Sequence, residues 1–464
     1  MIVLSREPGG PSLYQQLYRQ LRGQIARGEL QAGQKLPAKR AMAQQLNISV
    51  NTVDGAYRQL ESEGYIAARP RSGFYVCQIE ALAPHSTAPA PTVAAPVRAA
   101  PVAVDFSPGG IAAEKFPLRR WQQLLRACAE GPQILSRTPA AGDPALRSAI
   151  CQYIFEARGV RCTPAQMILG AGTDSLLQRL SYLLPNRCAF AVENPVYNQA
   201  YRLFARMGHP VVPVEIDHSG VTVEKLEQLD EAVVYTTPSH QYPLGLCMPM
   251  ARRAQLLNWC SRGAFRYVIE DDYDSEFRYD SRPVPSLQSI DRSGRVIYLG
   301  TFSRSVCPGL RISYMVLPEP LLQRYQAACR YFACGVSSLE QAALREFILC
   351  GDFARHVNRM RVYYKGQRRY FLQRLEPFGS GIESIGEAAG HHLAVRVHNG
   401  MNEKALCQAA LAQGARVYPI SPYFIGPMPA MYESKVLLGF GGLSRGQIDQ
   451  GCALLKQAWF GDAF

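Results

Sequence analysis

A segment rich in alanine and proline divides the chain into a small N-terminal part and a large C-terminal part. Residues 81–104 are almost entirely Ala, Pro, Val and Thr, with Arg98 as the only Lys or Arg and with no acidic residue. Repeated proline interrupts helices and strand ladders and stiffens a chain toward polyproline II. We therefore predict a semi-rigid linker with a reach of roughly 70 Å. It separates a domain at residues 1–80 from a domain at residues 105–464.

The composition is that of a globular protein with a basic surface. The 464 residues carry a formal net charge of +13, and 47% of them are hydrophobic. This charge favours a polyanionic partner such as nucleic acid, although a merely soluble basic protein has the same balance. The 13 Cys residues include no CxxC pair, which argues against a disulfide framework or a zinc site. We see no signal peptide and no apolar run of the ~18–20 residues that a membrane helix needs, so we predict a cytoplasmic protein without a membrane partner.

The first 80 residues show the pattern of three helices followed by a hairpin. Apolar residues at i, i+4 spacing predict a first helix over residues 13–28, and a second helix follows at residues 39–46. After a tight turn, Ser49 is suited to cap a third helix, which Gly64 ends. Residues 65–76 contain two β-rich pieces around a basic turn, which predicts a hairpin wing.

This order of elements is typical of a DNA-binding domain. Helix, turn, helix and wing place one helix in the major groove while the wing contacts the backbone or the minor groove. Lys and Arg neutralise phosphates, Asn and Thr reach base edges, and glycine permits close backbone approach. The candidate DNA-binding residues are Lys39, Arg40, Asn51, Thr52, Arg69, Arg71 and Gly73. The pattern alone leaves open a small helical bundle whose basic residues are simply solvated.

Residues 36–76 resemble the GntR-type winged helix over nearly the whole length of that module. They match the pattern LPxxRxLAxxLxxSxxTVxxAYxxLExEGxI almost completely, with Met42 at the position of the second leucine. The resemblance implies that the chain binds double-stranded DNA. Val50 stands where many members of that family carry arginine, and Asp54 where some of them do. We therefore expect one or two fewer phosphate contacts, weaker binding and a flatter salt dependence.

The large domain alternates helical stretches with short apolar runs. Strands separated by helices predict a mostly parallel α/β sheet. In such sheets ligands bind at the carboxyl ends of the strands, so chemistry is expected just after each apolar run. The runs that we interpret as strands are Met167–Leu169, Cys188–Val192, Ala232–Thr236, Tyr267–Glu270 and Val296–Leu299.

Polar residues behind these runs suit a site for pyridoxal phosphate. Gly172 and Thr173 open a helix, whose free N–H groups and dipole favour a phosphate. Tyr197 is suited to stack on a flat heteroaromatic ring, although a core tyrosine is the commoner case. Asp271 is suited to hold a pyridine nitrogen protonated, and Tyr273 to hydrogen-bond a ring hydroxyl. Metal binding or a solvated loop are the alternatives for this acidic segment.

These segments, in this order, resemble fold-type I aminotransferases, and specifically the effector domain of MocR-type regulators. The resemblance covers essentially the entire chain. It implies an α/β aminotransferase-like domain with a small C-terminal subdomain, a head-to-tail homodimer, pyridoxal phosphate as effector or cofactor, and an amino acid or vitamin B6 signal. Further matching segments are residues 105–110, 116–121, 142–150, 158–172, 237–245 and 298–318.

The residue that defines the chemistry of that family is replaced. The family motif reads GTFSK, and its lysine forms the Schiff base with pyridoxal phosphate, whereas residues 300–304 read GTFSR. The nearest lysines are Lys225 and Lys365. An arginine guanidinium stays protonated in proteins, so Arg304 cannot form a Schiff base and is a poor base for proton transfer. This substitution argues against enzymatic turnover, and we assign no catalytic residue and no metal site.

A second substitution agrees with the first. The fold usually carries an arginine near the C-terminus that binds the substrate carboxylate. Leu437 takes this place here, and Lys435 is a possible partial substitute.

The residues that the family uses to bind phosphate are retained. Arg311 matches the phosphate-binding arginine, and Thr301 and Ser303 add hydroxyl donors. The site is thus suited to non-covalent pyridoxal phosphate, or to a ready-made adduct of it with an amino acid, with Arg304 binding a carboxylate or phosphate. Another anionic ligand, or a vestigial pocket that only supports a dimer, remain open.

The sequence therefore predicts a transcription regulator that responds to a small-molecule effector. An active aminotransferase with an appended DNA-binding head, and a DNA-binding dimer that senses nothing, are the alternatives.

Overall fold

The computed structural model describes residues 2, 4–5, 11–78, 102–131, 135–279, 285–329, 331–386 and 389–461. The chain divides into two compact units, Met1–Arg98 and Ala99–Phe464. Residues 79–101, most of the predicted linker, lie outside the described residues, and Val104, its last residue, belongs to a strand of the second unit. None of the helices in the described ranges has the length and apolar character needed to cross a bilayer.

The first unit contains three helices and a hairpin. They are α1 (Leu13–Ala26), α2 (Lys39–Leu46), α3 (Val50–Ser62), β1 (Ile66–Arg69) and β2 (Gly73–Val76). Ser49 caps α3 by accepting a hydrogen bond from the Thr52 N–H at 3.1 Å. Asn47 ends α2 in the left-handed region, at a φ of 51°, and so forms the tight turn. The apolar faces of the three helices share one core, and the predicted winged helix is confirmed.

An eight-stranded sheet forms the centre of the second unit. Its strands are β4 (Met167–Ala171), β5 (Ala189–Asn194), β6 (Val211–Asp217), β7 (Gly220–Val221), β8 (Glu231–Thr236), β9 (Phe265–Asp272), β10 (Val296–Thr301) and β11 (Ile312–Val316). Their spatial order is β4-β11-β10-β9-β8-β5-β6-β7. β11 runs antiparallel to both of its neighbours and β7 runs antiparallel to β6, while the other pairs are parallel. The prediction of a mostly parallel sheet is confirmed.

Helices cover both faces of this sheet. The helices are α4 (Leu118–Ala129), α5 (Pro144–Arg158), α6 (Thr173–Leu183), α7 (Asn198–Arg206), α8 (Met250–Ser261), α9 (Leu287–Ile290), α10 (Glu319–Ala328), α11 (Ser338–Leu349) and α12 (Asp352–Leu375). Alternate strand residues face opposite sides, so Ile269 packs with α6, α7 and α10 whereas Val268 packs with α8. Burial on both faces explains why the strands are continuous apolar runs.

A four-stranded sheet forms the predicted small C-terminal subdomain. Its order is β12-β13-β16-β15. The elements of this region are β12 (Ile382–Ile385), β13 (His392–Val397), α13 (Glu403–Ala412), β14 (Ala415–Arg416), β15 (Tyr418–Pro419), β16 (Lys435–Gly439) and α14 (Arg445–Phe460). β14 pairs with β3 (Val104–Asp105), and the Gly439 N–H donates to the Phe106 carbonyl at 2.8 Å. The beginning of the second unit is therefore built into its C-terminal subdomain.

Candidate ligand site and nucleic-acid interface

A cavity of about 190 Å³ opens at the carboxyl ends of the central strands. Its walls are formed by Thr173, Asp174, Tyr197, Tyr235, Thr237, Tyr242, Asp271, Tyr273, Thr301, Ser303, Arg304 and Arg311. The structure brings eight of the nine proposed cofactor-site residues to this one cavity, and the ninth, Gly172, adjoins Thr173. Sequence reasoning did not select Asp174, Tyr235, Thr237 or Tyr242. Their positions in the sequence could have indicated them, because each lies in a predicted strand or in the polar segment that follows one.

Hydrogen-bond donors converge at one end of the cavity. The Arg311 guanidinium lies so close over the backbone of Gly172 that a Cβ atom there would be 2.3 Å from its Nη2. α6 begins at Thr173, and the glycine before it has no side chain to cap the first N–H groups. The buried Oγ of Ser303 has no hydrogen-bond partner among the described residues. Unfilled donors at a helix start, next to a guanidinium, suit a phosphate.

A buried carboxyl group forms another wall. Asp271 is the next-to-last residue of β9 and lies on the face that carries Tyr235, whose hydroxyl donates to it. Burial raises the pKa of Asp271 to about 7, the Tyr235 hydrogen bond lowers it, and nearby carboxylates, Asp272 first, raise it further. Such a group becomes charged when a cation lies opposite, so it suits a protonated pyridine nitrogen.

Aromatic side chains form the sides of the cavity. Tyr197 is half-buried, and burial raises its pKa to about 12, so its ring faces the cavity as a neutral phenol. The Tyr273 hydroxyl lies 2.8 Å from Nδ1 of His240, which is also 2.8 Å from the Asp274 carboxylate. Tyr242 packs edge-on against both tyrosine rings. These rings leave a slot whose shape suits a flat heteroaromatic ligand.

The other acids of the segment have their own partners. Glu270 accepts hydrogen bonds from the backbone N–H groups of Leu287 and Gln288 at 2.8 and 3.0 Å. Asp272 accepts from Arg158 Nε at 2.7 Å and from the Tyr298 hydroxyl at 2.6 Å. The described residues contain no cluster of three or more His, Cys, Asp or Glu that suits a metal ion.

Arg304 lies at the cavity wall and is half-buried. Its Nη1 donates to the Pro108 carbonyl at 3.2 Å. Burial raises the pKa of Tyr242 and Tyr273, and the positive charge of Arg304 offsets part of that rise, so the guanidinium lies near both phenols.

Neither residue of the second substitution lines the cavity. Leu437 packs in an apolar cluster with Leu244 and Ile420. The Lys435 ammonium lies over the ring of Tyr432, 4.2 Å from its centroid, and burial lowers its pKa to about 8. Lys435 therefore does not replace the missing arginine at the described cavity wall.

The winged helix presents most of its candidate DNA contacts to solvent. Arg40, Asn51, Arg69 and Arg71 are exposed. Arg71 stands at the tip of the wing with a φ of 60°, and Gly73 has a φ of 114°.

Two candidate DNA contacts already have partners within the protein. The Lys39 ammonium forms an ion pair with Asp54, which also binds Arg58 Nε at 2.8 Å. The Thr52 hydroxyl lies 2.8 Å from Ser49 Oγ. From the sequence we predicted fewer phosphate contacts because of Asp54. The ion pair between Asp54 and Lys39 became visible only in the structure.

The fold and the cavity define a protein that joins a winged helix to an aminotransferase-like domain. Residues 13–76 match the gntR family of bacterial regulatory proteins, and residues 107–452 match the family of class I and II aminotransferases. The chain therefore belongs to the HTH-type transcriptional regulators of the MocR type, which combine these two domains.

Similarity to such regulators extends over nearly the full length. The chain is 38% identical to the uncharacterized HTH-type transcriptional regulator YdeL of Bacillus subtilis, over 96% of each chain. It is 33% identical to the probable rhizopine catabolism regulatory protein MocR of Rhizobium meliloti, over 99% of this chain and 96% of that one. The multiple substrate aminotransferase of Thermococcus profundus, at 24% identity and a TM-score of 0.70, covers 78% of this chain and 92% of its own. The latter similarity shows the fold.

Proposed function

We propose that this chain is a transcription regulator that binds double-stranded DNA and recognises a pyridoxal phosphate-type ligand without turning it over. The observation that carries the proposal is the guanidinium of Arg304 at the wall of a cavity that retains its other ligand-binding groups. Because the guanidinium remains protonated, it supplies neither the amine for a Schiff base nor a base for proton transfer.

The residues present fit pyridoxal phosphate held without a covalent bond. Arg311, Ser303 and the start of α6 would bind its phosphate, Asp271 its ring nitrogen and Tyr197 its face. In enzymes the group supplies an electron sink. Here the buried Asp271 and the phosphate-binding residues would bind and orient a ligand, while the guanidinium of Arg304 would accept no proton from it.

The N-terminal unit supports the DNA-binding part of the proposal through its exposed basic residues and its exposed Asn51. As a head-to-tail homodimer the protein would carry two winged helices and bind two half-sites spaced by whole helical turns. It would act in the cytoplasm, where chromosomal DNA is accessible. A relative, the pyridoxine biosynthesis regulator PdxR of Corynebacterium glutamicum, is 29% identical over 93% of this chain, and its name is consistent with a vitamin B6 signal here.

The ligand part is tested by titrating the full-length protein with pyridoxal phosphate, recording the visible spectrum, and then reducing with borohydride. We expect a ligand that dialyses away and is not fixed by reduction. Arg304→Lys should gain a band that borohydride fixes, because a lysine at this position can lose its proton. A wild-type band fixed by reduction would overturn the proposal.

An aminotransferase with a DNA-binding head is the second candidate, and the retained Asp271 and Arg311 favour it. Incubation of the pyridoxal phosphate-loaded protein with a panel of amino acids would decide between the two. Formation of keto acid by the wild type supports the enzyme, whereas turnover that appears only in Arg304→Lys supports the regulator.

The DNA part is tested by fluorescence anisotropy on DNA from upstream of the protein's own gene at several salt concentrations. Asn51→Ala should lose preference for the specific site, whereas Arg71→Ala should weaken binding to all sequences alike. Absence of salt-sensitive binding at any sequence would refute this part. Sedimentation tests the dimer, which a monomer at micromolar concentration would contradict.

A further inference from the structure

The charge of Arg304 has no counter-ion among the residues that the structure describes. Within the described part of the chain no carboxylate lies within 4.0 Å of its guanidinium, and its hydrogen bond to Pro108 uses one of the five N–H donors of the group. The other guanidinium of the cavity differs, because Arg311 Nη2 lies 3.3 Å from the Asp174 carboxylate. A half-buried cation without a partner is costly unless an anion or water compensates it.

Arg304 also lies away from the phosphate-binding end of the cavity. The Pro108 carbonyl that accepts its hydrogen bond belongs to a segment that packs against Gly439 of β16, in the C-terminal subdomain. Gly172 and Arg311, in contrast, meet at the start of α6. The cavity therefore has two separate guanidinium groups, those of Arg304 and Arg311. Tyr197 and Asp271 form other parts of its wall.

We propose that Arg304 binds a carboxylate of the ligand, so that the cavity selects a phosphorylated pyridine ring that carries a carboxylate near the position of the aldehyde. This inference rests on the proposed function. A guanidinium donates two parallel hydrogen bonds to a carboxylate, which an aldehyde oxygen cannot accept in the same geometry. Leu437 stands at the place where we expect the carboxylate-binding arginine of the family, and it lies in an apolar cluster. Arg304 is then the cation that would bind the carboxylate.

Two kinds of molecule share this chemistry. In one the aldehyde of the ring is oxidised to a carboxylate, as in 4-pyridoxic acid 5′-phosphate. In the other an amino acid is joined to the ring through its nitrogen, as in N-(5′-phosphopyridoxyl)-L-leucine. Pyridoxine 5′-phosphate is the matched control, because it keeps the ring and phosphate but carries a neutral hydroxymethyl group in place of the carboxylate.

The test is calorimetric titration of the full-length protein with these three compounds and with pyridoxal phosphate. At least one carboxylate compound should bind about 10- to 100-fold more tightly than pyridoxine 5′-phosphate, the range expected for charge-assisted hydrogen bonds. The carboxylate compound that binds more tightly identifies the source of the ligand. In Arg304→Gln the affinity ratio should fall to about 1, whereas in Arg311→Gln all four compounds should weaken together.

The outcomes separate the two proposals. If all four compounds bind the wild type equally, the carboxylate inference is wrong while the proposed ligand class stands. If none of them binds the wild type, the proposed ligand class itself fails. The wild-type ratio is informative even if Arg304→Gln does not fold, which circular dichroism would reveal.

Discussion

Asp271 and Asp272 are neighbours in one strand, but their pKa values are shifted in opposite directions. Asp271 faces the cavity, and burial raises its pKa to about 7. Burial acts on Asp272 as well, but the charge of Arg158 on the other face of the sheet and the hydrogen bonds from Tyr298, Arg158 and Ser275 together outweigh it and lower the pKa of Asp272. The alternation of side chains along a strand thus places one carboxyl group at the cavity and pairs the other with a buried arginine.

Asp271→Asn should stabilise the protein at alkaline pH while weakening ligand binding. The pKa of Asp271 is higher in the folded state than in the unfolded state. The stability that its protonated carboxyl contributes is therefore fully present below the usual pKa of 3.8 and is lost as pH rises through about 7. At pH above 7 the variant should gain roughly 1–4 kcal/mol in free energy of unfolding, since a tenfold change in proton affinity corresponds to about 1.4 kcal/mol. Urea unfolding without ligand on both sides of pH 7 measures this, with exposed Asp230→Asn as the control. An unaltered pH dependence in Asp271→Asn would contradict it.

Arg158→Met should destabilise the second unit strongly. The substitution leaves the Asp272 carboxylate buried without its cation, which typically costs about 3–5 kcal/mol. Arg187→Met removes an exposed ion pair with Glu231 and should cost at most ~1 kcal/mol. Denaturant unfolding measures the free energy of unfolding of both variants. Equal decreases would show that the buried ion pair stabilises the protein no more than the exposed one.

At the scale of elements, α3 carries a carboxylate, Asp54, next to the candidate DNA contacts. Asp54 forms ion pairs with Lys39 of α2 and Arg58 of α3, so it reduces the positive charge available to phosphates. The sequence predicted weaker binding from Val50 and Asp54, and the structure adds the sequestered lysine as a further reason.

Asp54→Asn should therefore raise DNA affinity and steepen its salt dependence. Each cation freed for a phosphate contact should add about 0.9 to the magnitude of the slope of log K against log salt. Glu61→Gln removes the same charge from an exposed position at the other end of α3 and serves as the matched control. Anisotropy titrations over a salt series measure both. Identical shifts would mean that overall charge, rather than Lys39, is responsible.

At the scale of the whole molecule, the two compact units should unfold separately. Each has its own hydrophobic core, and separate cores behind a linker melt independently. Scanning calorimetry should show two transitions, and pyridoxamine 5′-phosphate should raise the melting temperature of the larger one only. At a ligand concentration 100 times Kd the stabilisation is about 2.7 kcal/mol. A single transition that moves with ligand would indicate coupled units.

The sequence by itself determined the winged helix and the α/β class, and it predicted from Arg304 that the Schiff-base lysine is replaced. These depend on local periodicity and on motifs within a few residues, which the unfolded chain already displays. Only the tertiary structure decided that Thr173, Asp271 and Arg311 share one cavity and that Arg304 has no carboxylate partner in the described chain. The physical reason is the strand order: β11 enters antiparallel between β4 and β10 and brings distant residues together, and no local pattern encodes that insertion.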